Sequence, residues 1–511
     1  MQWLNTIVDD LVNRHPEGDI LIESGGSPSG TYHIGHLREL VIADAIMLEL
    51  GRRGRRAKHI YFVDDLDALR KIPVNVPADF DKYLGFPLSD VPSPVEIKDS
   101  SYANYFLQGL KDATKTLNIE VEFIYSHSKY REGFFVPAIE RSLDRVAQAR
   151  NALETISGRK LDEHWTPIQV LEDGRLKNRK FLSIDQAAKK VHYLDADGVE
   201  QDVRYDKGEV KLDWRLDWPG RWWLLGVDCE PSGRDHMTKG SSYDTGVQIM
   251  KDVYEAEAPY PVSYDFINMA GDNKKMSASK GTGLDVLEAA ELMPPEVMRY
   301  FILRSAPLKR LYFDPVEGIV QLMDDFAAFA SKNDRTDGEE QLLQIATRGL
   351  DHKTVSRVPF SLLVASYQAA LKDPTRTLEI ISRTEYKDVA VEDATIIQAE
   401  LRFIDAWLEN RAPDTVKFAL TPTVSAEEFT DQEQQFLKDL AAKIETASDQ
   451  AQGDWFHTAI YEFKDTRGLE PKQLFSVLYR ALIGKTSGPR AGWFLSILPR
   501  DWLVKRLRLE A

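Results

Sequence analysis

Two segments carry residue types whose spacing suits work on a phosphorylated ligand. In Pro28-Ser-Gly-Thr-Tyr-His33-Ile-Gly-His36, two imidazoles sit three positions apart behind a glycine-rich turn, Ser24-Gly-Gly-Ser-Pro-Ser-Gly30. Three positions is close to one helical turn, so both rings rise from one side of a helix start, where each can donate to phosphoryl oxygens as negative charge builds up. Neither ring has to act as a base. Far along the chain, Lys274-Lys-Met-Ser-Ala-Ser-Lys280-Gly lies in a Gly- and Lys-rich stretch, Ala270 to Gly283, too poor in apolar residues to belong to a core. Such a loop can close over a triphosphate, with Lys275 and Lys280 bringing charge to it as its α-phosphorus becomes pentacovalent. No Walker A sequence competes as a phosphate site, because Gly484-Lys-Thr486 has Tyr479 where the first glycine is required.

These residues need elements to position them. Ile20-Leu-Ile22 is a short apolar run of strand type, and Leu37, Leu40, Val41, Ala45 and Leu48 recur at helical spacing. The turn between them gives close backbone approach at its glycines, and a helix beginning near Thr31 presents unpaired N–H groups to an anion. The run Ala57-Lys-His-Ile-Tyr-Phe-Val63 completes a β-α-β unit of the kind that binds nucleotides outside the carboxyl ends of a parallel sheet, with Asp64-Asp65-Leu-Asp67 falling where ligand groups sit. Strand and loop character returns around Trp222 to Met276. The fold class expected is α/β: a Rossmann-like catalytic domain over 1–313, with a connective insertion of about 75–215 and the loop 274–281, followed by an all-helical region over 314–511. In that region Phe436, Leu437, Leu440, Ile444 and Leu474, Phe475, Leu478, Leu482 form helical stripes, Thr430 with Glu433 reads as a capping box, and Lys332 to Gly338 reads as a loop.

Composition narrows the class. With 511 residues, 43% of them hydrophobic, and no repeat or low-complexity tract, the chain is a multidomain globular protein with ample core. No run of eighteen apolar residues appears, and Met1 to Val12 reads as an amphipathic helix rather than a signal peptide, so a cytoplasmic protein without membrane partners is expected. One cysteine, Cys229, excludes an intrachain disulfide and a cysteine zinc cluster. The net charge of −16 does not forbid a nucleic-acid partner, since basic clusters at Arg52 to Arg56, Arg175 to Lys180 and Arg500 to Arg508 can face phosphates locally.

The two segments, in this order, resemble the HIGH-type and KMSKS-type signatures of class I aminoacyl-tRNA synthetases. Aligned as Lys275-Met-Ser-Ala-Ser279, the usual second lysine is Ala278, and Lys280 is the candidate to replace it. Further pieces narrow the resemblance to the class I, archaeal-type lysyl-tRNA synthetases over nearly the whole chain: Asp64 to Pro73, Trp214-Arg-Leu-Asp-Trp-Pro-Gly-Arg-Trp222, Cys229-Glu-Pro-Ser-Gly-Arg-Asp-His236, Gly240 to Gly246 and Gly484-Lys-Thr-Ser-Gly-Pro-Arg-Ala-Gly492. The resemblance implies ATP contacts from Pro28, Gly30, His33, Gly35 and His36 on one side and Met276, Ser277, Ser279 and Lys280 on the other. It implies catalysis by His33, His36, Lys275 and Lys280, Mg²⁺ as the assisting ion, L-lysine and tRNA(Lys) as partners, and a helical anticodon-binding region. Relatives often carry a zinc knuckle in the insertion, but Trp165 to Asp213 has no Cys and one His, His192, so this module is expected to fold without structural zinc and no resident metal is expected.

A buried ε-ammonium must be paired with carboxylate or strong acceptors. Glu23, Asp64, Asp65 and Asp235 are the acidic candidates, and Trp214, Trp218 or Trp222 can hold the aliphatic stem while a ring face attracts the cation. Similarity to the family adds Gly25 and Ser27, with His236 opposite. A class I synthetase for glutamate or arginine would share both signatures. A nucleotidylyltransferase uses a similar HxGH turn without needing the helical region, and a non-catalytic RNA-binding paralogue would keep that region while losing triphosphate chemistry.

Overall fold

The structure, a computed structural model, describes residues 1–271, 283–349, 355–448, 451–464 and 469–510. Strands β1 (Ile20–Gly26), β2 (Ala57–Val63) and β3 (Glu122–Tyr125) are followed by six short strands, β4 (Ile168–Glu172), β5 (Arg175–Lys177), β6 (Lys180–Asp185), β7 (Lys190–Leu194), β8 (Glu200–Arg204) and β9 (Val210–Leu212). Four more complete the set: β10 (Cys229–Gly233), β11 (Tyr260–Tyr264), β12 (Ile267–Met269) and β13 (Leu311–Phe313). The central sheet is five-stranded and parallel, in the order β11-β10-β1-β2-β3. Its registered pair β1 and β2 runs from Ile20 opposite Ala57 to Gly26 opposite Val63. Even the polar residues Glu23 and Ser24 of β1 are buried, as expected of a parallel sheet covered on both faces.

This order decides where a ligand goes. From β1 the chain moves outward to β2 and β3, then returns to β10 on the other side of β1. The strand order therefore reverses between β1 and β10, and the crevice outside their carboxyl ends is the binding position that a doubly wound sheet offers.

Helix α1 (Gln2–Arg14) packs on α2 (Ile34–Arg52), the crossover between β1 and β2. The helix expected near Thr31 starts at Ile34, because His33 is its N-cap: the His33 side chain accepts from the Gly35 N–H, and the His36 side chain accepts from the His33 N–H. Buried Arg38 on α2 donates to the carbonyls of Asp265 at 2.6 Å, Phe266 at 3.2 Å, Pro307 at 2.8 Å and Lys309 at 2.6 Å. It thereby fixes the entry to β12, which pairs in parallel with β13 and leads toward residues 272–282.

The short strands form two antiparallel three-stranded sheets, β5-β4-β9 and β6-β7-β8. Val170, Val191, Tyr193, Tyr205, Val210 and Leu212 are buried in one apolar cluster with Phe62, Trp218 and Trp222, so this module shares its core with the central sheet. The chain divides into two compact units, one made of Met1–Ala290, Met298–Phe313 and Arg335–Gly349 and the other of Glu291–Val297, Asp314–Asp334 and Leu350–Ala511. In the first, the helix Asp337–Ala346 starts inside the stretch expected to be a loop, because Thr336 and Glu339 form a capping box, and Gln341 donates to Asn5 at 2.8 Å. Described elements of the second unit after β13 are all helical, and the capping box of Thr430 with Glu433 is present, opening the helix Asp431–Glu445 whose stripe Phe436, Leu437, Leu440 and Ile444 is buried. No described helix is long and apolar enough to cross a membrane.

Candidate active site

A cavity of about 380 Å³ opens at the switch point, bounded by the ends of β1 and β10, the start of α2 and the helix Trp214–Leu225. Its floor is a buried charge cluster. The Arg221 guanidinium reaches Glu23 at 2.7 Å and Asp64 at 2.6 Å and lies 4.4 Å from the Phe62 ring. Burial alone would lower the Arg221 pKa, but Asp64 and Glu23 outweigh it and hold it above its ordinary value. Burial in turn raises Glu23 to about 8 and Asp64 to about 6, with Arg221 opposing both shifts. Glu39 accepts from the Gly25 N–H at 2.9 Å and from the Tyr264 hydroxyl, and burial raises it to about 7 against those two bonds. Glu230 receives both indole N–H groups of the tryptophan helix, Trp222 at 2.8 Å and Trp218 at 3.3 Å, and burial pushes it well above the usual carboxylate range.

An aromatic wall stands beside the acids. Trp214 and Trp218 stack with ring centroids 5.5 Å apart, and His236 lies 5.5 Å from Trp214 and 5.9 Å from Trp218. Across the mouth, His33 and His36 have ring centroids 4.0 Å apart. Nδ1 of His33 accepts the Gly35 N–H at 3.2 Å, and Nδ1 of His36 lies 3.0 Å from the His33 backbone nitrogen and 3.1 Å from the His33 carbonyl oxygen, so both rings are fixed by the backbone of the helix start. Close approach at the strand end has a steric basis, since a Cβ at Gly25 would meet the Phe62 carbonyl oxygen at 2.6 Å.

Comparison with known proteins places this geometry in a family. Residues 1–352 match the family model described as "tRNA synthetases class I (K)", and residues 409–510 match "Anticodon binding domain". The chain is 35% identical to the lysine–tRNA ligase of Archaeoglobus fulgidus over 99% of both chains. It is 34% identical to lysine–tRNA ligase 1 of Methanosarcina acetivorans over 99% of this chain and 98% of that one. It is 32% identical to the lysine–tRNA ligase of Pyrococcus horikoshii over 100% of both. The chain belongs to the class I lysyl-tRNA synthetases.

In this class I lysyl-tRNA synthetase, the fold brings ten of the residues singled out from the sequence to one cavity: Gly25, Ser27, His33, Gly35, His36, Asp64, Trp214, Trp218, Asp235 and His236 all line it. Pro28 and Gly30, expected on ATP, lie in the β1–α2 connection and are not among the lining residues. Asp65 is not among the lining residues: its carboxylate accepts from the His127 backbone N–H at 2.9 Å and pairs with the His127 ring. Glu23 and Trp222 sit behind the lining, acting on it through Arg221 and Glu230. Lys275, Met276, Ser277, Ser279 and Lys280 lie outside the described residues.

Among the cavity residues that escaped the sequence reading are Glu39, Arg221, Glu230 and Tyr264. Signals existed for three. Glu39 follows His36 by three positions on α2 and so shares its face, Arg221 lies inside the Trp-rich segment, and Glu230 follows Cys229 directly. Tyr264 carries no local signal, because only the pairing of β11 with β10 brings its hydroxyl to Glu39.

Proposed function

We propose that the protein is a lysine–tRNA ligase, activating L-lysine with ATP and passing the lysyl group to tRNA(Lys). One observation carries the amino-acid assignment. Five acidic side chains (Glu39, Asp64, Asp67, Glu230 and Asp235) line the cavity against one guanidinium, that of Arg221, beside a tryptophan and histidine wall, and Asp67 is also paired with Lys211 at 3.1 Å. Such a site favours a cationic ligand with an apolar stem and disfavours an acidic side chain such as that of glutamate.

In the first step an oxygen of the lysine carboxylate attacks the α-phosphorus of ATP in line, forming the acyl–phosphate bond as the bond to pyrophosphate breaks. His33 and His36 donate through Nε2 to the phosphoryl oxygens, and Lys275 and Lys280 add charge from the opposite side. In the second step the 2′-hydroxyl of the terminal tRNA adenosine attacks the lysyl carbonyl and AMP leaves. Catalysis is by positioning and charge stabilisation. Mg²⁺ would enter with ATP as part of that substrate. We expect the insertion to fold without structural zinc; its lack of cysteine supports this, as does the packing of its buried Val170, Tyr193, Tyr205 and Leu212 in the core of the central sheet. The substrates imply a cytoplasmic place of action.

Lysine-dependent ATP–pyrophosphate exchange, run against a panel of other amino acids with and without tRNA(Lys), tests this reading. Exchange with lysine supports it. Exchange with arginine or glutamate instead would keep the mechanism and overturn the pocket assignment, and no exchange even with tRNA present would overturn the ligase reading.

A further inference from the structure

The turn between β1 and α2 is held from outside by the first part of the insertion. There Leu69, Val76, Phe80, Leu88, Val91 and Tyr102 belong to an apolar cluster of their own, separate from the one that joins the short strands to the central sheet. The helix Tyr102–Thr116 starts in that cluster. Ser101 caps it by accepting from the Asn104 N–H at 3.2 Å, and the N–H groups of Tyr102 and Ala103 donate to the carbonyls of Val91 at 2.8 Å and Leu88 at 3.3 Å. With the helix start fixed and its ring fully buried, Tyr102 aims its hydroxyl at the Ser29 carbonyl and donates to it at 3.0 Å. Burial raises the Tyr102 pKa, so the hydroxyl keeps its proton and remains a donor.

A second bond comes from the same cluster. Val76 is buried in it, and its N–H closes a turn on the Pro73 carbonyl at 3.1 Å. Asn75, exposed within that turn, donates its side-chain amide to the Thr31 hydroxyl at 2.9 Å. Ser29 and Thr31 bracket Gly30, so the two bonds grip the turn on both sides of the glycine that resemblance to the family puts on ATP. The segment after residues 272–282 pins the next three residues: the Val286 N–H donates to the Tyr32 carbonyl at 3.2 Å, and the Leu284 carbonyl accepts from the Ile34 N–H at 2.9 Å. Those are backbone bonds, open to almost any sequence, whereas the bonds from Tyr102 and Asn75 depend on the side chain.

We propose that Tyr102 and Asn75 are positioning residues for ATP: they preorganise the turn 28–31, so that ordering which its glycine would otherwise undergo on binding is already complete. The proposal rests on the ligase reading in taking this turn as the ATP side of the cavity, and it gives the insertion a part in nucleotide binding.

The test uses the full-length protein and calorimetric titration with MgATP and, separately, with L-lysine. Tyr102→Phe keeps the buried ring and removes only the donor, and Asn75→Ala changes an exposed position, so neither threatens folding. Each weakens ATP binding by about 3- to 10-fold and leaves lysine binding unchanged. Thr31→Val removes the hydroxyl that Asn75 reaches, and in that background Asn75→Ala costs nothing further.

Unchanged ATP affinity in Tyr102→Phe or Asn75→Ala overturns the proposal. So does an equal weakening of ATP and lysine, the mark of a merely structural role, or an undiminished cost of Asn75→Ala in the Thr31→Val background. Lysine-dependent ATP–pyrophosphate exchange by the wild-type preparation tests the ligase reading separately. Selective losses of ATP affinity without any exchange would uphold the two positioning residues and overturn that reading, and no ATP binding by the wild type would overturn both.

Discussion

His33 caps α2 in the structure and donates to ATP in the proposed mechanism, and one substitution separates the two roles. Its Nδ1 accepts the Gly35 N–H at 3.2 Å and caps α2, while in the proposed mechanism its Nε2 donates to the triphosphate. Asparagine offers a side-chain oxygen at the position of Nδ1, and it is among the best N-cap residues, but it has nothing at the position of Nε2. His33→Asn should therefore retain the cap, worth about 1 kcal/mol, and lose the donor, worth about 2–4 kcal/mol of barrier. That loss corresponds to a fall in lysine-dependent ATP–pyrophosphate exchange of about 30- to 1000-fold with a urea midpoint near that of the wild type. His33→Ala loses both, adding about 1 kcal/mol of destabilisation to the same kinetic defect. Wild-type exchange by His33→Asn would refute the reasoning, because it would show that the imidazole serves only as a cap. A stability loss in His33→Asn equal to that in His33→Ala would refute the capping half.

Further outcomes follow from the buried charges. Arg221→Met leaves Glu23 and Asp64 buried without their cation and should cost about 3–5 kcal/mol in urea unfolding at pH 8, with part of the loss recovered at pH 5, where both acids take up protons. In the wild type, Glu23, Asp64 and Glu39 titrate above their unfolded values, near 8, 6 and 7, so the folded state binds more protons across that window. Their contribution to stability is present in full below the unfolded carboxyl range of about 4 and is lost as pH rises toward 8, which urea midpoints between pH 5 and 8 would show. Lysine binding should have the opposite slope and release protons, measurable by calorimetry in buffers of different ionisation enthalpy, since the ammonium favours the ionised acids. Glu230→Gln places an amide N–H₂ where two indole N–H groups now find acceptors, and the KM for lysine should rise by about one to two orders of magnitude, with a smaller change in the KM for ATP. Treatment with a zinc chelator should leave the unfolding midpoint unchanged.

Local chemistry made much of this protein legible from its sequence. The strand-turn-helix around His33 and His36 is a contiguous segment in which period, glycines and cap all act within a few residues, so the β-α-β start followed from the sequence, and the same holds for the Thr430 and Glu433 capping box. Even there the helix start moved from near Thr31 to Ile34, because a histidine side chain took the capping role that sequence patterns assign to Ser, Thr, Asp or Asn. Which acid faces the cavity is a different kind of question. Glu23, Asp64, Asp65 and Asp235 look equivalent in one dimension, yet Asp65 is claimed by His127 across the strand end and Glu23 by Arg221 from a helix almost 200 positions away. Burial, pairing and pKa depend on atoms brought together from distant segments. The sequence by itself determined the β-α-β start, the helical character of the C-terminal region, the family and ten of the residues that line the cavity. Only the tertiary structure decided the partners, because the order β11-β10-β1-β2-β3 sets Tyr264 against Glu39, Arg221 between Glu23 and Asp64, and both tryptophan N–H groups on Glu230.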